Sequence, residues 1–348
     1  MGKTLDEIFE AFRDLKVLII GDVMLDAYIW GKVERISPEA PVPIVHVRKR
    51  EKRLGGAANV ALNVQALGAT PLLCAVIGDD HAAGDFHSLL EEQNISGAGI
   101  VKSKNRLTTV KERVIAGSQQ MLRVDSEDDE LLIDEDRESL LKVIEKLLPQ
   151  ADVVIFQDYD KGVLSEPLIQ QTIALAKKHQ IPTTVDPKRR NFLHYKEATL
   201  FKPNLKELRE GMQVEGLALH KEKHETSLTT EQAVAQASTK LKALLQVNTT
   251  FVTMSEKGVY IDAAYHGQEE KHVIPAHIRK IADVSGAGDT VISIAALCLA
   301  LELSPRLLAE LANLGGGIVC EYTGVVSIEY KRLLEEAKKV LGQNTLLT

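Results

Sequence analysis

Cysteine is scarce: the 348 residues hold three, Cys74, Cys298 and Cys320, odd in number, far apart and set among apolar neighbours. That excludes a disulfide framework and offers no metal-ligand spacing, and it fits a reducing cytoplasm. Long apolar runs are also missing. The longest, about Val291 to Leu301, is too short to cross a bilayer, and Met1 to Lys16 is amphipathic and charged rather than a leader with an apolar core. A soluble, unexported protein is expected. Positive charge is outweighed, 42 Lys and Arg against 49 Asp and Glu for a net charge of -7, which argues against a chain that coats nucleic acid or anionic membrane. Small molecules are the expected partners. No GxxxxGK[ST] occurs, no GxGxxG follows a strand and opens a helix, HExxH is absent, and the ten histidines lack metal-ligand spacing. A Walker-type NTPase and a dinucleotide Rossmann enzyme are thereby disfavoured.

What is present is an alternation. Short apolar runs at Lys16 to Gly21, Pro71 to Gly78, Asp152 to Gln157, Pro182 to Asp186 and Thr250 to Ser255 read as buried strands. Helical patterns lie between them, at Ala57 to Leu67, Gly84 to Gln93, Glu138 to Leu148, Pro167 to His179 and Glu231 to Leu245. An α/β fold follows, with a mostly parallel central sheet covered by helices on both faces. Ala27 to Arg53, with Pro38, Pro41 and Pro43, and Leu107 to Asp125 break the rhythm and read as short strands of a small second sheet, a lid over one end of the core. Residues 1–340 are expected to form one domain carrying lid segments at about 27–53 and 107–125, with a tail at 341–348.

Asp125 to Glu138 holds nine acids and one arginine and reads as a solvated loop leading into a helix N-terminus. Arg48 to Arg53, five bases in six residues, lacks interleaved aromatics and reads as a solvated lid edge. Gly211 to Thr229 is polar and is expected to be an irregular surface excursion.

The strongest local signal is Asp283-Val-Ser-Gly-Ala-Gly-Asp289-Thr ahead of an apolar helix. Gly286, Ala287 and Gly288 let backbone N–H groups crowd an anion at the positive end of that helix, a phosphate cradle in outline. Taken alone, it reads more readily as a plain glycine loop with Asp289 placed to stabilise the helix dipole.

The surroundings decide between the two. Gly55-Gly56-Ala-Ala-Asn59 opens an early helix, and Asn204-Leu-Lys-Glu207 follows Lys202-Pro203. Together with GAGD these resemble the ribokinase-like, or PfkB-type, sugar kinases. Gly21-Asp-Val-Met-Leu-Asp26-Ala-Tyr-Ile-Trp-Gly31, Arg35-Ile-Ser-Pro-Glu-Ala-Pro-Val-Pro43, Gln119-Gln120, Asp158-Tyr159-Asp-Lys161-Gly162, Asp186-Pro-Lys188 and Val252-Thr-Met-Ser-Glu256 resemble the heptose 7-phosphate kinase branch of that family. The match runs from about Val17 to Gly324.

The resemblance implies a ribokinase-like fold and a set of roles. Asp289 becomes the catalytic base, with Gly286, Ala287 and Gly288 as the anion hole; a carboxylate at a helix N-terminus is expected to be a weak base in the ground state. Asn204 and Glu207 become the NxxE motif that holds Mg2+ near the triphosphate of ATP, where the plain alternative is helix capping. Asp26 and Asn59, with Gly55 and Gly56, become the sugar site. Lys111, Arg113, Arg123, Lys161 and Lys188 become candidate cations for a phosphate on the sugar, where the plain alternative for any one of them is a surface ion pair. Thr253, Ser255, Glu256 and Gly258 match the nucleotide side, Asn313 the purine pocket, and Asp283 with Ser285 a monovalent-cation loop found in some relatives.

Leu54 stands where proline is expected before the double glycine, Ser285 where threonine is, and Tyr322-Thr-Gly-Val-Val replaces a small polar tail motif. Nothing after Gly324 resembles the adenylyltransferase half of bifunctional relatives and no HxGH occurs, so a kinase-only chain is expected, a homodimer with a separate adenylyltransferase acting downstream. The activity implied is ATP-dependent phosphorylation of heptose 7-phosphate at its anomeric hydroxyl. Another PfkB-type sugar or sugar-phosphate kinase, or a silent ligand-binding regulator, remains as an alternative.

Overall fold

The computed structural model describes residues 3–117, 119–214 and 230–342. Helix α1 (Leu5–Ala11) leads into β1 (Lys16–Gly21), β2 (Val23–Ile36), β3 (Pro43–Gly56), α2 (Ala57–Ala66), β4 (Thr70–Gly78), α3 (His81–Glu92) and β5 (Ile100–Ser103). Next come β6 (Val110–Ala116), β7 (Gln119–Ser126), α4 (Asp134–Leu147), β8 (Val153–Gln157), α5 (Glu166–Lys178), β9 (Thr183–Asp186), β10 (Leu200–Phe201) and α6 (Leu205–Val214). The chain continues through α7 (Thr230–Leu245), β11 (Thr249–Thr253), β12 (Val259–Tyr265), β13 (Gln268–Ile274), α8 (Ala287–Ala300), α9 (Pro305–Val319) and α10 (Tyr330–Leu341).

Among the described residues the strands form two sheets. The large one has the order β13-β12-β11-β10-β9-β8-β1-β4-β5. It is parallel from β5 to β11, and antiparallel pairing appears only at the far edge, where β12 and β13 add to β11. Alternation along buried strands explains the two cores. In β1, Val17 and Ile19 face one side and Leu18 and Ile20 the other; in β8, Val153 and Ile155 oppose Val154 and Phe156. The first set packs with α2, α8 and α9, the second with α4, α5 and α7. Helix α8 is buried from Asp289 through Cys298, which is why its sequence is apolar all round.

The small sheet has the order β3-β2-β6-β7. Its first hairpin is two strands of 14 residues each, longer than the short strands expected. The prolines do not interrupt them because Pro38 and Pro41 fall in the turn and Pro43 opens β3. Only a single residue, Asp22, separates β1 from β2, and β3 passes directly into α2.

The acidic stretch enters α4 with Asp134, Glu135 and Asp136 in its first turn, where the dipole favours them. Gly211 does not begin an irregular excursion: residues 211–214 continue α6, while 215–229, like 343–348 of the expected tail, lie outside the described residues. No helix among the described residues is long and apolar enough to cross a membrane.

Candidate functional site

Parallel strands end at one edge of the large sheet, where side chains just past each strand are free to meet a ligand. Here a cleft of about 1300 Å3 runs along that edge, lined by Gln157 at the end of β8, Asp186 at the end of β9, Lys202 after β10, Thr253 at the end of β11 and the first turn of α8. The sequence-derived residues Gly286, Ala287, Gly288, Asp289, Asn204, Glu207, Thr253, Ser255, Glu256, Gly258 and Asn313 all line it. They come from separate stretches of chain, and the topology brings them together.

Asp289 is buried in the first turn of α8, whose N-cap is Gly286 in the left-handed region at φ 79°. One carboxylate oxygen accepts from the Asn59 amide at 2.6 Å; the other accepts from the Tyr159 hydroxyl at 2.7 Å and the Gln157 amide at 3.2 Å. Burial pushes the carboxyl up to about 6, against the hydrogen bonds from Asn59 and Tyr159 and helped by neighbouring Asp186. This corrects the expectation of a weak base: the helix terminus favours the anion, but desolvation of a carboxylate on the cleft floor outweighs it.

Beside it lies a second buried pair, Lys202 with Asp186 at 3.1 Å, and Gln157 donates to the same Asp186 oxygen at 3.3 Å. Lys188 is bonded to Glu207; burial alone would depress its ammonium, but Asp186 and Glu207 hold it above its ordinary range. Its ammonium also stands 5.8 Å from the centre of the Tyr159 ring. Lys188 therefore belongs to the cleft rather than to the group of cations on the small sheet.

Asn204 and Glu207 form a reciprocal cap on α6: the Glu207 N–H donates to Asn204 Oδ1 at 2.8 Å, and the Asn204 N–H to Glu207 Oε2 at 2.8 Å. The capping alternative is thus realised, and both residues still face the cleft. Among the described residues no cluster of three or more His, Cys, Asp or Glu is arranged to hold a metal. The Asn204 amide oxygen and the Glu207 carboxylate are oxygens of the kind Mg2+ takes one or two of beside water and phosphate, and here they are engaged by the α6 cap and by Lys188.

Asn313 donates to the Pro275 carbonyl at 2.9 Å and so pins the wall formed after β13. The Ser285 N–H and hydroxyl donate to Asp283 Oδ1 at 3.0 and 2.8 Å, and the Gly324 N–H to Oδ2 at 3.0 Å. The loop expected to take a monovalent cation closes on itself in this way.

The residues expected to hold the sugar and its phosphate, Asp26, Gly55, Gly56, Asn59, Lys111, Arg113, Arg123 and Lys161, do not line that cleft; most of them lie on the small sheet. Strand register puts Asp26 opposite Lys111 and Arg53, and Arg113 opposite Tyr28 and Arg123, so these side chains share one face. Asp26 takes Arg113 at 2.6 Å. Lys111 pairs with Asp125 at 3.1 Å and Glu127 at 2.8 Å, Lys161 with Glu127 at 2.7 Å, and Arg123 with Asp125 at 2.9 Å. Every cation proposed for a sugar phosphate on this sheet is therefore already paired with a carboxylate. The double glycine has steric reasons: a Cβ on Gly55 would lie 2.4 Å from Asp26 Oδ2, and Gly56 caps α2 at φ 62°. Asn59 meets Asp289 rather than standing free beside Asp26.

Gln157, Tyr159, Asp186 and Lys202 were not singled out by function. Their signal was position, at the last residue of a buried strand for Gln157 and Asp186 and one or two residues past it for Lys202 and Tyr159, where an open α/β sheet presents its ligand-binding side chains.

A central parallel sheet, a four-stranded side sheet and a buried aspartate at a helix N-terminus over a large cleft define a phosphotransferase acting on an alcohol group. The chain belongs to the pfkB family of carbohydrate kinases, whose model matches residues 14–331. It is 39% identical over 328 residues to the bifunctional protein HldE of Helicobacter pylori (strain G27), a match that covers 94% of this chain and 66% of that protein. The chain thus spans just under two thirds of that relative's length. In fold it is similar to Escherichia coli phosphofructokinase-2 in complex with potassium, with a TM-score of 0.72, 17% identity and coverage of 94% of this chain and 99% of that one. Arabidopsis thaliana ribokinase complexed with ribose and ATP superposes with a TM-score of 0.68 and 16% identity, covering 92% of this chain and 98% of that one.

Proposed function

We propose that this chain transfers the γ-phosphoryl group of ATP to the anomeric C1 hydroxyl of D-glycero-D-manno-heptose 7-phosphate, giving the 1,7-bisphosphate for ADP-heptose and lipopolysaccharide-core synthesis. The observation that carries the reading is Asp289, a buried carboxylate pushed up to about 6 and held by Asn59, Gln157 and Tyr159 at the head of α8. The heptose assignment is supported by the sequence motifs and by the likeness to the HldE relative over nearly the whole chain.

In this reading the sugar lies between the cationic face of the small sheet and Asp289, with Asp26 and Asn59 toward its hydroxyls and Lys111, Lys161, Arg113 or Arg123 toward its phosphate. The nucleotide fills the cleft past Thr253, Ser255, Glu256 and Gly258 toward Asn313. The C1 oxygen attacks the γ-phosphorus, the bond to ADP breaks, and Asp289 accepts the hydroxyl proton late, as a loose transition state requires. The N–H groups of Gly286, Ala287 and Gly288 stabilise the transferring charge. Mg2+, when bound near Asn204 and Glu207, neutralises phosphate charge; Asp283 and Ser285 are the place for a monovalent cation. The exposed apolar side chains Val33, Val47, Leu122 and Val124 of the small sheet support pairing with a second copy. The enzyme is placed in the cytoplasm, with a separate adenylyltransferase acting downstream.

A panel assay with ATP and Mg2+ tests the substrate. Heptose 7-phosphate should outcompete ribose, fructose and fructose phosphates; preference for one of the latter returns the chain to another sugar kinase of the family.

A further inference from the structure

We infer that Tyr159 is a positioning residue for phosphoryl transfer: from a turn clamped on the buried Asp22, its hydroxyl holds Oδ1 of Asp289 and so fixes the edge that the carboxylate turns to the substrate. The inference rests on the reading of Asp289 as the base.

Three observations carry it. The Tyr159 hydroxyl reaches Asp289 Oδ1 at 2.7 Å, a shorter contact than the 3.2 Å from Gln157 to the same oxygen. With Asn59 on Oδ2, the carboxylate is held from both sides and cannot rotate without losing a hydrogen bond. The tyrosine is itself immobilised. Asp22 gathers the N–H groups of Tyr159 at 2.8 Å and Lys161 at 3.2 Å on one oxygen, and that of Val163 at 3.0 Å on the other. A single buried carboxylate thus fixes the turn that carries Tyr159 to the base and Lys161 to the sugar side.

The groups facing Asp289 are Asn59 from α2, Gln157 from β8, Tyr159, Asp186 from β9 and Lys202 after β10. Asp186 and Lys202 carry opposite charges and pair with each other, which leaves Tyr159 and Asn59 as the strong donors. Burial and the adjacent Asp289 push the phenol well above its ordinary range, so it remains a donor throughout the working pH range. A donor of this kind favours the ionised carboxylate, and its removal favours the protonated one.

The variant Tyr159→Phe keeps the ring and the turn and removes only the hydroxyl. The carboxyl titration is read without substrate, by 13C NMR of protein labelled at aspartate, with the Asp289 resonance identified by its loss in Asp289→Asn. In the wild type it should titrate near 6. In Tyr159→Phe it should move upward by about one pH unit. With ATP and heptose 7-phosphate, kcat should fall about tenfold while both KM values stay within about twofold. Asp22→Asn, which loosens the turn, should move the titration in the same direction by less. An unmoved titration in Tyr159→Phe, or a loss confined to KM, overturns the inference. Near-wild-type turnover by Asp289→Asn would instead remove the base assignment, and this inference with it; an inactive Asp289→Asn beside an unmoved Tyr159→Phe removes the inference alone.

Discussion

The side-chain amide of Asn59 donates to Oδ2 of Asp289 at 2.6 Å, across 230 residues of chain. The first turns of two helices, α2 and α8, therefore converge on one carboxylate. Helix α2 follows directly from the small sheet, so the residue that steadies the Asp289 carboxylate is attached to that sheet.

Asp289→Asn should preserve the fold and nucleotide binding and lose transfer by a factor on the order of a hundred or more, the contribution of a positioned base. Single-turnover transfer measured alongside ATP-analogue binding checks it; turnover near wild type would remove the assignment.

The same variant should be more stable than the wild type at pH 8. The Asp289 carboxyl is raised from 3.8 to about 6 in the native state, so between those values the native protein binds more protons than the unfolded chain. Its contribution to stability therefore falls as pH rises through that window, and above it the buried charge costs on the order of 1–3 kcal/mol. Denaturant titration should show the variant's advantage at pH 8 and its disappearance near pH 4. Activity should follow the opposite course, with kcat/KM of the wild type declining below about pH 6 as the base takes up its proton.

Glu207→Gln separates capping from metal binding. Glutamine can still accept from the Asn204 N–H, so helix α6 keeps its cap, while the charge toward Lys188 and the cleft is lost. The Mg2+ concentration for half-maximal rate should rise severalfold with little change in melting temperature. An unchanged Mg2+ titration would leave capping as the residue's whole role.

Lys161→Ala and Lys111→Ala, compared on phosphorylated and unphosphorylated heptose, locate the sugar phosphate. Each lysine shares Glu127, so removing one leaves that carboxylate with a single partner. The variant that grips the phosphate should lose about tenfold or more in kcat/KM on heptose 7-phosphate and little on the unphosphorylated sugar. Arg123, half-exposed at the edge strand and paired with Asp125, should have the smaller effect. Equal activity of the wild type on both sugars would reject the phosphorylated substrate.

Much of this arrangement was legible in the chain because buried parallel strands write themselves as apolar runs: β1, β4, β8, β9 and β11 fall within a residue or two of their expected places. The two residues of β10 carry too little pattern, and β13, polar and half-exposed at an antiparallel edge, carries no apolar run. Within the site, GAGD and NxxE were visible as local motifs. Of the partners of Asp289, Asn59 stood in a motif but with another role, and Gln157 and Tyr159 acquire their meaning only when β8 is laid beside α8. Nor could spacing show that Lys111, Arg113, Arg123 and Lys161 would each be neutralised by a nearby acid; that follows from the register of β2, β6 and β7 and from the loop that brings Glu127 between two lysines.

The way the β2–β3 hairpin of the small sheet is attached limits how that hairpin can move. A flap on slack tethers can swing through a wide arc at little elastic expense, but here one residue precedes β2 and none follows β3. The two attachment points are also fastened to each other, the Ala57 N–H donating to the Asp22 carbonyl at 2.9 Å. Any closing stroke must therefore be a flexing of the long β2–β3 ribbon itself, with its root held fast and its amplitude growing toward the tip at residues 37–42. Asp26, near the root, would travel little, whereas the far end of the hairpin would sweep furthest, much as a springboard bends.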